Sequence, residues 1–422
     1  METLVVGGGR PLYGEVDIGG AKNAILPVLA ATMLNGGTYE IHHCPNITDV
    51  SLAVEIITAL GGRASRQGTT LLVDTTGACR WQVPASLMAK MRASVLFLGA
   101  LLARFGRAEL TMPGGCPLGR RPIDLHLQAL AQLGAEVTLV EQEILCSAPR
   151  LHGGTITLPF PSVGATENVL LAATACRGTV VLRGAAKEPE IADLVTFLQA
   201  MGADITGGDG TWIIRGGAAL GSACHTVLPD RIETATYLCA AAGCGGKIRL
   251  KQTDEQLLLP VLESLEAAGC RITCLPGEIS LEAPPRLKSP GLVETAPYPG
   301  FPTDAQALLM AALLRMDGIC RMTEGIFDCR FGHVPQMRRL GAEIQISGAC
   351  ACVTGVETLR GTYLEGCDLR ATAALLLAAL QAEGKSVVFG LKHLDRGYDT
   401  LEENLRRLGA DVRRCTDLAY AQ

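Results

Sequence analysis

Six segments of small and apolar residues recur along the chain, and each predicts a helix that is buried on all sides. A helix without a polar face has no side that can lie against water. The segments are NAILPVLAATML from Asn23, RASVLFLGALLARFG from Arg92, TENVLLAATAC from Thr166, ETATYLCAAAGC from Glu233, DAQALLMAALLRM from Asp304 and LRATAALLLAAL from Leu369. None reaches the roughly 18–20 apolar residues that a membrane-spanning helix needs. They therefore predict the inner helices of a globular protein.

A second pattern has nearly the same period and predicts where helices give way to strands. It consists of the end of an amphipathic helix, a glycine, a small residue and a β-branched run. The glycines are Gly61, Gly134, Gly202, Gly269, Gly341 and Gly409, separated by 73, 68, 67, 72 and 68 residues. Each glycine is predicted to end its helix and pass the chain to a strand. The pattern indicates an α/β or α+β chain of six similar units.

Length and charge narrow the class of protein. The chain has 422 residues, of which 48% are hydrophobic, so two or three domains with large cores are expected. The net charge is −5, which gives no basic footprint for nucleic acid or for an anionic membrane. The segment METLVVGGGR lacks the features of a signal peptide. We therefore expect a cytoplasmic monomer that binds neither nucleic acid nor membranes.

The sixteen cysteines are scattered along the chain, and this pattern favours reduced thiols over a disulfide framework. Several Cys and His pairs have no further ligand at a spacing typical of zinc sites. These pairs are Cys350 with Cys352, Cys270 with Cys274, His42 with His43, and Cys224 with His225. The sequence predicts that they are structural and that the protein has no metal site.

Polar residues are concentrated where the apolar helices begin. Ser162 and Asp304 are explained by helix capping, which favours such residues. Capping does not explain Lys22, Arg92 or Arg231, because a cation opposes the helix dipole at this end. An anion bound between the cations explains them better. If the buried helices all run the same way, these ends share one surface, and two three-unit domains face each other across a cleft.

Residues 111–124 form a loop that could carry a reactive thiol. Three glycines and three prolines exclude a helix or an inner strand. Cys116 lies between Gly115 and Pro117, and the next basic residues are Arg120 and Arg121. A nearby guanidinium stabilises the reactive thiolate form of cysteine, although an ordinary exposed cysteine is the alternative. The glycines also allow the loop to move as a lid.

These segments together resemble the enolpyruvyl transferases over essentially the whole chain. The most specific match is PGGCPLGRRPIDLH at 113–126. The others are GAKN at 20–23, RAS at 92–94, SVGAT at 162–166, LPDRIET at 228–234, PTDAQ at 302–306, IFDCRF at 326–331, DLR at 368–370 and DRGY at 395–398.

The resemblance implies an inside-out α/β barrel fold with two domains, each made of three βαβαββ repeats with buried helices. The first domain would comprise residues 1–21 and 230–422. The second would comprise residues 22–229 and carry the Cys116 loop at about 111–121. The implied reaction moves the enolpyruvyl group of phosphoenolpyruvate to the 3′-hydroxyl of UDP-N-acetylglucosamine and releases phosphate. It is the first committed step of peptidoglycan synthesis and uses no metal or organic cofactor.

The resemblance also implies roles for individual residues. Catalytic roles fall to Cys116, Asp304, Lys22 and Arg396. Contacts to phosphoenolpyruvate fall to Lys22, Asn23, Arg121 and Arg396. Contacts to UDP-N-acetylglucosamine fall to Arg92, Arg121, Pro122, Ile123, Asp124, Leu125, Ser162, Val163, Gly164, Asp304 and Ile326. Further cleft residues are Arg231, Arg330, Asp368 and Arg370. Cys116 either protonates C3 of phosphoenolpyruvate or mainly assists product release.

Three other functions compete with this hypothesis. The sister enzyme that acts on shikimate 3-phosphate should have Lys-Ser at the first helix and no cysteine lid, whereas this chain has Lys22-Asn23 and Cys116. A non-catalytic repeat scaffold would need neither the lid nor cations at buried helix ends. A thiol-based hydrolase would need a histidine partner that the sequence does not offer.

Overall fold

The protein's structure is a computed structural model that describes residues 2–114 and 122–416. The described chain divides into two compact units. The terminal unit comprises residues 2–19 and 229–416, and the inserted unit comprises residues 20–114 and 122–228. Each unit has its own hydrophobic core, and no core residue is shared between the two.

Short strands form much of both units. In chain order they are β1 (Thr3–Gly7), β2 (Leu12–Asp17), β3 (Thr38–His42), β4 (Arg63–Gln67), β5 (Thr70–Asp74), β6 (Arg107–Thr111), β7 (Glu136–Val140), β8 (Glu143–Ser147), β9 (His152–Thr157), β10 (Arg177–Arg183), β11 (Asp204–Gly208), β12 (Thr211–Arg215), β13 (Ala223–Thr226), β14 (Gly246–Lys251), β15 (Arg271–Leu275), β16 (Glu278–Glu282), β17 (Leu292–Glu294), β18 (Ile319–Thr323), β19 (Glu343–Ser347), β20 (Cys350–Thr354), β21 (Tyr363–Glu365), β22 (Lys385–Phe389) and β23 (Asp411–Cys415).

The α-helices alternate with these strands. They are α1 (Lys22–Ala31), α2 (Thr48–Ala59), α3 (Ala85–Met88), α4 (Phe97–Phe105), α5 (Asp124–Gln132), α6 (Val163–Ala173), α7 (Pro189–Ala200), α8 (Arg231–Cys244), α9 (Leu259–Ala267), α10 (Thr303–Ala312), α11 (Val334–Arg339), α12 (Leu369–Gln381), α13 (Leu391–Leu394) and α14 (Leu401–Arg407). Short 3₁₀ segments occur at Arg92–Leu96, Glu255–Leu257 and Leu313–Arg315.

Small sheets surround the core of each unit. In the described part of the terminal unit their strand orders are β21-β22-β1-β23, β15-β16-β14-β2 and β17-β18-β20-β19. In the inserted unit the orders are β11-β12-β10-β9, β13-β3-β5-β4 and β6-β8-β7. Each four-stranded sheet combines antiparallel pairs with one parallel pair at an edge, such as β13 with β3. Comparison with solved structures, reported below, confirms the predicted mixed α/β class.

Helices lie at the centre of each unit, as their apolar sequences predict. In the terminal unit α8, α10 and α12 pack against one another, and every residue of α12 is buried. In the inserted unit α4 packs against both α1 and α6. The predicted helix from Arg92 begins differently, because its first turn is 3₁₀ and the α-helix starts at Phe97.

The six periodic glycines end helices, as predicted. Their φ angles lie between 94° and 105°, in the left-handed region that favours glycine. Each is followed within two residues by a strand, for example β4 after Gly61 and β23 after Gly409. The described parts of the predicted loop, residues 112–114 and 122–123, have no regular structure.

Two further expectations concern the described residues alone. Their helices are all too short or too polar to cross a membrane. Their cysteines are all free thiols.

Close packing of α4 on α6 depends on Gly99, and this gives a test of the core of the inserted unit. A Cβ at Gly99 would lie 2.5 Å from the main-chain oxygen of Asn168. Gly99→Ala should therefore lower the free energy of unfolding by about 1–3 kcal/mol through overpacking. The matched control is Gly154→Ala, since a Cβ there meets nothing within 4 Å. Urea denaturation of both variants checks this, and equal stabilities would contradict it.

Candidate active site

The start of α10 holds a carboxylate between two arginines. Asp304 is the second residue of this helix, and its Oδ1 accepts a hydrogen bond from Arg330 Nη2 at 2.8 Å. Its Oδ2 accepts from Arg370 Nη2 at 3.1 Å and from Arg370 Nε at 3.2 Å. Both arginines are buried, whereas the Asp304 side chain is 28% exposed. The structure thus brings together three residues that the sequence predicted for one site.

Arg370 is held at the start of α12, where a cation opposes the helix dipole. Asp368 caps this helix, because its Oδ1 accepts from the main-chain nitrogens of Arg370 and Ala371, both at 2.9 Å. The Arg370 guanidinium lies 5.5 Å from the centre of the Tyr398 ring. Burial lowers the pKa of Arg370, but the combined effects of Asp304, Tyr398 and Asp230 outweigh burial and raise the pKa above its ordinary value. Arg370 is therefore a permanent cation.

The loop that carries Ile326 is fixed to the same helix end. Glu324 Oε1 accepts from Ile326 N at 2.9 Å, from Phe327 N at 3.1 Å and from Thr303 Oγ1 at 3.0 Å. Arg330 Nη2 also donates to Thr303 O at 3.1 Å. The Ile326 backbone is therefore tied to the Asp304 site through a buried carboxylate that the sequence did not single out.

The start of α8 also carries paired polar groups. Asp230 caps this helix, and the buried Arg231 guanidinium lies 5.6 Å from the centre of the Tyr298 ring. Glu233 Oε2 accepts from Gly19 N at 2.9 Å. Burial, with a further contribution from the Asp230 charge, raises the pKa of Glu233 to about 7. Glu233 is a titratable group that sequence reasoning gave no role, because its place in a helical first turn is unremarkable.

Arg396 lies in the segment that follows α13, in the same unit as the start of α12. Arg396 acts electrostatically on His393. The pKa of His393 is lowered mainly by burial and by the charges of Lys392 and Arg396. The Asp368 carboxylate acts in the opposite direction on the same imidazole. Arg396 and Asp368 are therefore both within electrostatic reach of His393.

In the inserted unit the predicted phosphate ligand Lys22 is paired with a buried acid. Lys22 opens α1, and its Nζ lies 2.8 Å from Asp49 Oδ2. The two side chains are only 11% and 2% exposed. Asn23 follows Lys22 in the same first turn. The sequence missed Asp49 because an acid in the first turn of α2 is expected from the helix dipole alone.

The starts of α5 and α6 adjoin each other and gather the predicted nucleotide ligands. Arg92 Nη2 donates to Pro122 O at 3.3 Å. Asn168 Nδ2 lies 2.8 Å from His126 Nδ1 and 3.4 Å from Gly164 O. A Cβ at Gly164 would lie 2.7 Å from His126 Cε1, so glycine is what lets the two helix ends approach.

The remaining nucleotide candidates lie on the same helix ends. Ser162 caps α6, its Oγ accepting from Ala165 N at 3.4 Å, and Val163 is the first residue of that helix. In α5 the corresponding residues are Ile123 before the helix, Asp124 as its first residue and Leu125 as its second.

His126 is neutral at the centre of this group. Burial, with a further contribution from the Arg92 charge, lowers the pKa of His126 to about 4, and the Asp124 charge opposes this shift. Its Nδ1 accepts from the Asn168 amide in the neutral form. His126 belongs to the matched PIDLH segment, but sequence reasoning gave it no role of its own.

Cys116 and Arg121, two of the predicted site residues, lie outside the described residues, as do Gly115, Pro117 and Arg120. The described candidates fall into two groups. The terminal unit holds Asp304, Arg330, Arg370, Asp368, Ile326, Arg231 and Arg396, and the inserted unit holds Lys22, Asn23, Arg92, Pro122, Ile123, Asp124, Leu125, Ser162, Val163 and Gly164.

Comparison with known proteins decides the family. The family model described as EPSP synthase (3-phosphoshikimate 1-carboxyvinyltransferase) matches residues 6–405. The chain belongs to this family of enolpyruvyl transferases. It is 47% identical to UDP-N-acetylglucosamine 1-carboxyvinyltransferase of Dichelobacter nodosus, covering 98% of this chain and 99% of the relative. It is 44% identical to UDP-N-acetylglucosamine 1-carboxyvinyltransferase 2 of Caldanaerobacter subterraneus, with the same coverages. The family predicted from the sequence is confirmed.

Solved structures of enolpyruvyl transferases share the fold. The enolpyruvyl transferase NikO from Streptomyces tendae superposes with a TM-score of 0.89 at 29% identity, covering 99% of both chains. EPSP synthase from Acinetobacter baumannii superposes with a TM-score of 0.74 at 16% identity, covering 99% of this chain and 100% of that one. The second similarity shows the fold alone.

The Lys22–Asp49 pair of this enolpyruvyl transferase should stabilise the inserted unit strongly. Asp49→Ala removes a buried carboxylate beside a nearly buried ammonium, so the free energy of unfolding should fall by about 3–5 kcal/mol. Combined with Lys22→Met in a double-mutant cycle, it should show a coupling of about 0.5–3 kcal/mol.

The matched control for this cycle is Asp204→Ala in the same unit. Asp204 pairs with Arg215 at 3.0 Å, but both side chains are more than half exposed. Its loss should cost at most about 1 kcal/mol. Urea denaturation measures each variant, and an Asp49 effect no larger than the Asp204 effect would contradict the expected burial of the pair.

Proposed function

We propose that the protein transfers the enolpyruvyl group of phosphoenolpyruvate to the 3′-hydroxyl of UDP-N-acetylglucosamine with release of phosphate. Relatives that carry the name of this activity are 44% and 47% identical to it over 98% of the chain. The structural observation that carries the proposal is the Asp304 carboxylate, fixed between Arg330 and Arg370 and partly open to solvent. Such a group can accept a hydroxyl proton beside cations that bind anions.

Asp304 serves as the general base in this proposal. A carboxylate offers about four lone-pair positions, so Asp304 can accept a hydrogen bond from the sugar hydroxyl beside those from Arg330 and Arg370. It takes the hydroxyl proton as the sugar oxygen bonds to C2 of phosphoenolpyruvate. Ile326 contributes its backbone to the sugar contact, and Arg231 and Asp368 complete the polar surroundings.

Cations hold the phosphate and carboxylate of phosphoenolpyruvate. Lys22 supplies a compact charge, and Arg121 and Arg396 supply planar pairs of donors. Asn23 adds an amide beside Lys22. When the proton is lost from C3 and the C2–O bond to phosphate breaks, these charges stabilise the departing phosphate.

The thiol of Cys116 acts on phosphoenolpyruvate or on product release in this proposal. Protonation of C3 of phosphoenolpyruvate makes C2 electrophilic. Cys116 either donates this proton or mainly assists product release. The same thiol predicts alkylation by the epoxide fosfomycin.

The nucleotide is assigned to the helix ends of the inserted unit. Its contacts are Arg92, Arg121, Pro122, Ile123, Asp124, Leu125, Ser162, Val163 and Gly164. Support comes from the Arg92–Pro122 hydrogen bond and from the adjoining starts of α5 and α6. Main-chain N–H groups at helix starts suit a diphosphate.

The architecture proposed for this activity is an inside-out barrel in each of two domains, built from three βαβαββ repeats. Support comes from the central helices and surrounding sheets of each unit. Among the described residues, the boundaries of the proposed domains, 1–21 with 230–422 and 22–229, lie within two residues of those of the compact units. We place the protein in the cytoplasm, as a monomer that begins peptidoglycan synthesis without a cofactor.

Phosphate release tests the proposed substrates directly. Purified protein with phosphoenolpyruvate should release phosphate when UDP-N-acetylglucosamine is added. Shikimate 3-phosphate should give no more than the background without an acceptor. The reverse preference would reject the proposal in favour of the sister reaction, and no release with either acceptor would reject both.

Replacing the proposed base gives a sharper test. Asp304→Asn keeps the shape of the side chain but removes the proton acceptor, so kcat should fall by about 10²–10⁴-fold. The control is Asp317→Asn in the same unit, because Asp317 is a surface partner of Arg286 at 2.8 Å. Its kcat should be unchanged. Thermal unfolding verifies that both variants are folded, and a loss of less than tenfold for Asp304→Asn would exclude the base role.

A further inference from the structure

An outer face of the inserted unit presents three residues that can ligate a metal ion. Strand β13 runs parallel to β3, with Cys224 opposite Glu40. Side chains alternate along a strand, and the inward positions Ile41 and His225 are buried. Glu40, His42 and Cys224 occupy the opposite face, where they are exposed or half-buried.

The ligand atoms of these three residues lie close together. The carboxylate oxygen, the imidazole nitrogen and the sulfur all lie within 4.8 Å of one another. His42 Nε2 is 3.5 Å from Glu40 Oε1. Metal–ligand bonds of about 2.0–2.3 Å in a tetrahedral site place ligand atoms about 3.3–3.8 Å apart. Because all three side chains are at least partly exposed, rotation about their side-chain bonds can close the remaining gap.

A neighbouring strand orients the imidazole. His42 Nδ1 lies 3.1 Å from Thr70 Oγ1, on β5 at the other side of β3. When Nδ1–H donates to this hydroxyl, the lone pair of Nε2 is left toward Glu40 and Cys224. A hydrogen bond from the second ring nitrogen is the usual support of a metal-bound histidine.

We propose that Glu40, His42 and Cys224 form a zinc-binding site, with water as the fourth ligand. Thiolate, imidazole and carboxylate are the three protein ligands that Zn²⁺ accepts, whereas Mg²⁺ and Ca²⁺ prefer oxygen alone. Binding releases the thiol proton of Cys224 to solvent. The sequence predicted no metal here because the ligands come from two strands far apart in the chain.

The site would fasten an edge strand. β13 forms the end of the β13-β3-β5-β4 sheet and pairs only with β3 among the described residues. A metal ion coordinated by Cys224 on β13 and by Glu40 and His42 on β3 bridges the two strands. Because binding requires the paired strands, it stabilises the folded unit by an amount that grows with the logarithm of the metal concentration above the dissociation constant. This role is independent of the proposed transferase reaction.

Cobalt is the spectroscopic probe. Reduced, chelator-treated full-length protein is titrated with Co²⁺. We expect one equivalent to produce the intense visible absorption of tetrahedral cobalt, together with a sulfur-to-cobalt charge-transfer band. One equivalent of Zn²⁺ should remove both and raise Tm. If only the weak visible absorption of octahedral cobalt appeared, the proposal would be overturned.

Variants assign the signal to these residues. Cys224→Ser should abolish the charge-transfer band, and His42→Gln and Glu40→Gln should each weaken cobalt binding at least tenfold. Thr70→Val should weaken it about 10–100-fold through the histidine. The matched control is Cys274→Ser, since Cys274 is also exposed on a strand.

Cys274→Ser should leave the spectrum and the affinity unchanged. Phosphate release should be the same in Cys224→Ser as in the unmodified protein, which separates this site from the transferase reaction. A charge-transfer band that persists in Cys224→Ser, or one that is lost in Cys274→Ser, would place the metal elsewhere and overturn the assignment.

Discussion

A helix enclosed on all sides by apolar packing can carry charge only near its ends, and every such charge needs a partner. This constraint governs both units. Asp304, Arg330 and Arg370 satisfy one another at the start of α10, and Asp49 satisfies Lys22 at the start of α1. The candidate site residues are therefore concentrated where buried helices begin.

The same pairing shapes how an anionic substrate would bind. In the proposed reaction the substrate phosphate would not meet hydrated surface cations, since Lys22 already pairs with Asp49 and Arg370 already pairs with Asp304. The desolvation of these cations is completed during folding rather than during binding. The ligand either replaces the carboxylates of the chain as the partner of these cations or binds beside them. The geometry of the site, rather than the net charge of the protein, then selects the ligand. This explains how a protein with a net charge of −5 can hold anions.

Local patterns made much of the fold predictable. The central helices follow from runs such as Leu369–Gln381, and the helix ends follow from periodic glycines. Asp49 could not be predicted, because its contact with Lys22 depends on how two helices pack. The Cys224 cluster could not be predicted either, because strand register decides which residues share a face. The described residues show the surroundings of Asp304, while the roles of Asp304 and Cys116 remain predictions from sequence.

The position of β1 has a consequence for biosynthesis. This first strand lies inside its sheet, between β22 and β23, with Thr3 opposite Cys415. The ribosome must therefore synthesise the chain as far as β22 before β1 can pair with either neighbouring strand. The inserted unit, complete by residue 228, can form while translation continues. Until β22 and β23 are synthesised, apolar side chains of β1 such as Leu4 and Val6 stay uncovered, which makes this strand a natural segment for a chaperone to protect.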